Sequence, residues 1–85
     1  MSNETRTWVV RSGEDLGRAI ADIRTSRGLT QAQLAAAVGL ERPYLAKIET
    51  GRSVRLLEHI LRILRRLGAT VTIEIGDGRF DDGPA

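Results

Sequence analysis

Between Gly28 and Gly51 the chain reads "GLTQAQLAAAVGLERPYLAKIETG", two short apolar-patterned segments with a glycine between them and one at each end. Helices this short are marginal in water on their own. They persist only if something holds them against each other and against a common core. The first opens with Thr30 and Gln33, spaced as a capping box, in which each side chain bonds the other residue's backbone N–H. Leu34, Ala35 and Val38 form its inner face, and Gly39 permits a tight turn with positive φ. The second begins near Glu41, with Pro43 in its first turn, where a missing N–H costs nothing. Tyr44, Leu45 and Ile48 supply its apolar contacts.

The flanking sequence supplies the support. Ser12 is a candidate cap for a helix that carries Glu14 and Asp15 in its first turn and ends at Gly28. Leu16, Ala19, Ile20 and Ile23 recur on one face of it. A further helix is expected from about Arg55 to Leu67, with Leu57, Ile60, Leu61, Leu64 and Leu67 as one broad apolar stripe. Two stretches read as strands, Thr7–Val10 ("TWVV") and the alternating "ATVTIEI" around Val71, Ile73 and Ile75. Residues 1–11 are therefore an N-terminal arm with a short strand. Residues 12–69 are the helical domain, 70–75 a strand, and 76–85 an acidic tail of flexible composition.

Composition narrows the function classes. There is no cysteine, so no disulfide or thiolate metal site supports so small a fold. An 85-residue chain has a small core, which makes a dimer a reasonable expectation. No apolar run reaches the length of a membrane span, and "MSNETRT" lacks the regions of a secretory signal. The chain is read as cytoplasmic, with no membrane partner. The only histidine, His59, stands beside Glu58 as a solvated helix residue. No metal-ligand cluster, nucleophile–base pair or phosphate-cradling glycine loop occurs, so neither an enzyme nor a cofactor is expected. The net charge is +2, the tail is acidic, and every basic residue but Lys47 is arginine. Arginine grips phosphate and guanine bidentately; a GC-rich genome is the alternative cause.

Two short helices joined by a tight glycine turn make a helix-turn-helix, whose second helix enters the major groove of DNA. "RTSRGLTQAQLAAAVGLERPYLAKIETG" resembles the Xre/lambda-repressor-type helix-turn-helix family, with the signature "GLTQ-x-x-LA…VG…IE-x-G", over roughly Leu16 to Leu67. "LGATVTIE" and the leading "WVVRSGEDLGRAIADIR" look most like the HipB-like antitoxins. The resemblance implies a mainly α, lambda-repressor-like bundle of about four helices. It also implies a C-terminal β-strand that pairs across a homodimer through Val71, Ile73 and Ile75; pairing with "TWVV" of the same or another chain is the alternative.

Base reading then falls to the second helix of the motif. Arg42 near its start and Lys47 about a turn later lie opposite Leu45 and Ile48, and Ala46 is a candidate for a thymine methyl. Glu41 stands where the family often has Ser or Thr; it repels phosphate yet can accept from cytosine N4. Pro43 replaces a residue often used for base contact, so operator preference does not carry over from relatives. Gln33 is a capping-box partner or a base reader. By resemblance Gln31 contacts phosphate, as do Arg52 and Ser53, with Arg27 a weaker candidate. Thr30 caps first and touches phosphate second; Tyr44 either bonds phosphate or simply packs. Arg24 and Glu49 match positions that the family pairs as a structural salt bridge.

The expected partners are a palindromic double-stranded operator and a second copy of the chain. Two functional classes follow. One is a transcriptional repressor over its own promoter, stand-alone or phage-type if it has no toxin. The other is an antitoxin that neutralises a HipA-like toxin kinase by binding it, with Phe80 in the tail as the candidate anchor. In the HipBA-like systems the two roles coexist, in a bacterial, nucleoid-associated protein.

Overall fold

The computed structural model describes residues 6–51 and 55–76. Their order is β1 (Arg6–Val10), α1 (Gly13–Ser26), α2 (Gln31–Val38), α3 (Arg42–Thr50), α4 (Arg55–Arg66) and β2 (Val71–Ile75). The fold is mainly helical, with a small two-stranded antiparallel sheet. Local chemistry sets most boundaries. Ser12 Oγ accepts from Asp15 N at 3.1 Å, and Asp15 Oδ2 accepts from Arg11 N at 2.9 Å, so both sides of the α1 start are satisfied. Thr30 and Gln33 form both halves of the capping box, at 3.0 and 2.8 Å. Glu41 precedes α3 without a side-chain cap, and Pro43 supplies the first-turn geometry instead.

The packing is built on close backbone approach more than on large side chains. Among the described residues the buried apolar ones are Val10, Ala19, Ala35, Leu45 and Leu61, two of them alanines. Helix α1 crosses the C-terminal end of α3 at Gly17. A Cβ there would lie 2.5 Å from both the Ile48 and Glu49 carbonyl oxygens, so only glycine fits. Helix α4 is tied to the start of α1 by the Glu58 carboxylate, which accepts from Gly13 N at 2.6 Å. Arg65 Nη1 donates to Arg11 O at 2.9 Å.

One expectation changes here, and one open choice is resolved. The apolar residues of α4 form two stripes, not one. Leu61 is buried with Leu57 and Leu64 half-buried beside it, while Leu56, Ile60, Ile63 and Leu67 face outward. Ile60 and Leu67 therefore belong to the outer set. The choice concerns β2, which takes the alternative pairing with the "TWVV" strand of its own chain: Trp8 opposes Ile73 and Val10 opposes Val71. Val71, Ile73 and Ile75 line the same sheet face as Trp8 and Val10, the face that meets α1. One edge of β2 is thus satisfied in cis, and only its other edge leaves backbone groups for a dimer mate to fill.

Candidate nucleic-acid interface

Helices α2 and α3 are held as a unit by the turn between them. Gly39 adopts φ +74, and Leu40 N donates back to Ala35 O at 2.9 Å, closing α2 and redirecting the chain. Ala35 is buried where the helices approach, and Leu45 anchors α3 in the core. That leaves the solvent side of α3 to Arg42, Pro43, Tyr44 and Lys47, all exposed.

Arg42 and Lys47 do not share one face. Five residues of helix put them about 140° apart. Lys47 stands on the outer side. Arg42 leans back over the start of α2, where its Nη1 donates to Gln31 Oε1 at 2.9 Å. Ala46, between them on the helical wheel, is half-buried. Glu41 is exposed just before α3. Tyr44 is 56 % exposed, so its ring is not core packing. Thr30 and Gln33 are engaged with each other in the cap, which occupies the Gln33 carbonyl oxygen. Arg27 is half-buried at the end of α1. Arg52, Ser53 and Phe80 lie outside the described residues.

Beneath this surface sits a compact polar network. The Glu49 carboxylate accepts from Arg24 Nε at 2.7 Å and Arg24 Nη2 at 3.1 Å, a bidentate pair between α3 and α1. The side chains are only 14 % and 6 % exposed for Arg24 and Glu49. Arg24 Nη1 also donates to Leu29 O at 2.8 Å, which fixes the loop before α2. Gln31 Nε2 donates to Glu49 Oε1 at 2.9 Å. Burial pushes the Glu49 carboxyl up, but the hydrogen bonds from Arg24 and Gln31 and the Arg24 charge outweigh it, so it sits below its ordinary value. The hydrogen bond to Glu49 raises Arg24 in turn, against a smaller desolvation effect.

From the sequence, Gln31 is a surface residue that reaches for phosphate. In the fold it links Glu49 to Arg42. Its neighbours lie 18 and 11 residues along the chain, so nothing local signals the role. The outward stripe of α4 does carry a signal: Leu56, Ile60, Ile63 and Leu67 repeat at four, three and four residues, as in a coiled-coil seam. Among the described residues no group of His, Cys, Asp or Glu is arranged to hold a metal ion. No helix among them is long and apolar enough to cross a membrane.

Residues 15–73, well over half of the chain, match the protein family described as a helix-turn-helix domain. An "uncharacterized HTH-type transcriptional regulator" of Haemophilus influenzae is 39% identical over 57 residues. That alignment covers 64% of this chain and 58% of the relative, so the chain spans a little over half of that protein's length. No solved structure matches. The tight α2–Gly39–α3 unit, its exposed basic residues and the family match converge: the chain belongs to the helix-turn-helix domain family.

Proposed function

We propose that the protein is a sequence-specific DNA-binding repressor of the Xre type that works in the cytoplasm as a homodimer on a palindromic operator. The family match and the regulator relative support DNA-binding regulation. The observation that carries the reading is α3, presented by a rigid turn with Arg42 at its start and Lys47 on its outer side, both exposed. A helix of this kind fits the major groove with its first turn at base edges. Tyr44 within α3 and Thr30 at the start of α2, both exposed, are the proposed phosphate contacts.

Dimerisation has its own support. Leu56, Ile60, Ile63 and Leu67 are 43–75 % exposed and form a continuous apolar patch on the order of 400 Å². Two such patches face to face contribute much of the roughly 1,200 Å² that a stable interface needs. They also supplement a core that is small for a free-standing chain. The free edge of β2 offers a second element to the same mate. The HipB-like features of "LGATVTIE" and of the N-terminal segment favour an antitoxin that represses its own operon and binds a HipA-like kinase.

Footprinting on the DNA upstream of the gene, with and without the adjacent gene product, tests both parts. A specific, symmetric footprint that fades steeply with salt is expected. Replacing Arg42 or Lys47 with alanine should cost about 1–3 kcal/mol of specific binding. A folded double variant with undiminished operator affinity would refute the assignment.

A further inference from the structure

The start of α1 is wedged between the end of α3 and the first turn of α4. Gly13 is buried there, and a Cβ on it would lie 2.6 Å from Glu58 Oε2 and 2.9 Å from the carbonyl oxygen of Gly51, the C-cap of α3. Glu58 Oε2 accepts from Gly13 N at 2.6 Å, a charge-assisted bond to an N–H that α1 leaves open at its start. Further along α4, Arg65 Nη1 donates to Arg11 O at 2.9 Å, on the other side of Ser12. The helix rise separates these two ties by about 10 Å, and two points fix the direction of an axis. Helix α4 is thus set at a defined angle to the junction that holds the end of α3. Its outward stripe points elsewhere: Glu58 and Arg65 stand about 170° around the helix from the middle of the row Leu56, Ile60, Ile63 and Leu67.

We propose that Glu58 is a positioning residue for operator spacing: by tying α4 to the start of α1, and so to the end of α3, it sets how far apart the two reading helices stand in the dimer. The inference rests on the homodimeric operator reading above and deepens it. In that reading α4 meets the mate and α3 meets DNA, so the angle between them enters the half-site separation once in each subunit. The lever is long. Half-sites one turn apart lie about 34 Å from centre to centre, and one base pair rises about 3.4 Å. A tilt of about 6° at the junction displaces the mate's reading helix by roughly that rise. Each base pair also turns a half-site by about 35° around the DNA axis, so sliding alone does not correct a wrong spacing. Glu58 is half-buried in its own chain and lies opposite the stripe, so it acts through the direction of α4 and not as a contact to the mate. A purely stabilising role makes a different prediction, an equal loss on all sites.

The test uses the full chain and duplex DNA. Wild-type protein selects a site from a random duplex pool, and base pairs are then added or removed one at a time at the centre of that site. Wild type is expected to lose about tenfold in affinity or more for each such change. Glu58→Ala, verified as folded by circular dichroism and as dimeric by sedimentation, should discriminate neighbouring spacings by about threefold or less. Its response to a base substitution within one half-site should match that of wild type. Glu58→Gln keeps an acceptor for the Gly13 N–H and should keep the wild-type spacing. Glu58→Asp, one methylene shorter, serves if alanine does not fold. A variant with unchanged spacing preference, with equal loss at every spacing or with no dimer overturns the positioning role while leaving DNA binding intact. So does a Glu58→Gln that behaves as Glu58→Ala. A wild type that selects a single half-site, or no site, overturns the dimeric operator reading itself.

Discussion

Gly17 sits in the middle of α1, where helix propensity alone favours alanine by about 1 kcal/mol. The fold predicts the opposite outcome for Gly17→Ala. The new methyl would stand 2.5 Å from the Ile48 and Glu49 carbonyl oxygens, against 3.4 Å or more for an ordinary contact. The end of α3 would have to retreat by nearly an ångström. These oxygens are backbone, so no side-chain rotation relieves the clash. Glu49 would be carried away from Arg24 and Gln31, whose contacts now lie between 2.7 and 3.1 Å. Overpacking costs about 1–3 kcal/mol, and loosening a nearly buried ion pair adds more, up to roughly 3 kcal/mol if it breaks. At the middle of these ranges, and after the propensity gain, a net loss of about 2–3 kcal/mol remains. That is a large share of the roughly 4–13 kcal/mol available to an 85-residue chain, and it corresponds to a Tm lower by about 10–25 °C. Urea unfolding at fixed protein concentration measures it. The sole tryptophan, Trp8, bonded through Nε1 to Asp22 at 3.1 Å, reports the β1–α1 contact, and far-UV circular dichroism reports the helices. Arg18→Ala, on the exposed side of the same helix, should change stability by less than about 0.5 kcal/mol. If Gly17→Ala unfolds at the same urea concentration as wild type or a higher one, the close approach of α1 to α3 does not demand glycine.

Ile63→Asp places a charge at the middle of the outer α4 stripe; sedimentation should show dissociation to monomer with helix content retained, and a persistent tight dimer would exclude that face. Thr30→Ala removes half of the α2 cap and should cost about 1 kcal/mol in thermal unfolding, with most of the α2 hydrogen-bond ladder preserved. Because folding lowers the Glu49 pKa, its ion pair stabilises the protein fully above the ordinary carboxylate range and loses that effect as pH falls through the folded value below it. The stability gap between wild type and Glu49→Gln should therefore be largest near neutrality and shrink toward about pH 3, as unfolding curves across that range will show. A gap that widens on acidification contradicts the assignment.

Features written in a few neighbouring residues are legible in the sequence alone. Thr30 with Gln33, Ser12 with the acids after it, and Gly39 between two apolar runs each state a local rule that no distant contact overrides. The alternation in "VTIEI" reveals a strand and its inward face, but not its partner. Strand alternation says nothing about which edge is filled, and the first strand of the chain fills it. Helix α4 shows the limit for amphipathic patterns. Its apolar residues span more than one face, and periodicity alone does not reveal which half meets its own chain. At the candidate interface, residue type and helix position point to Arg42 and Lys47. The coupling of Arg42 to Gln31 and Glu49 depends on how α1, α2 and α3 cross, and no single segment encodes that crossing.

The pairing of β1 with β2 sets Arg6 opposite Ile75. The first and last regular elements among the described residues thereby become each other's scaffold, and deleting either strand strips the other of its ladder hydrogen bonds. A short synthetic bridge between those two points would weld the backbone into a ring with little distortion. New ends opened in the α3–α4 connection would then ask whether the recognition helix needs its neighbour joined in sequence, or only beside it in space.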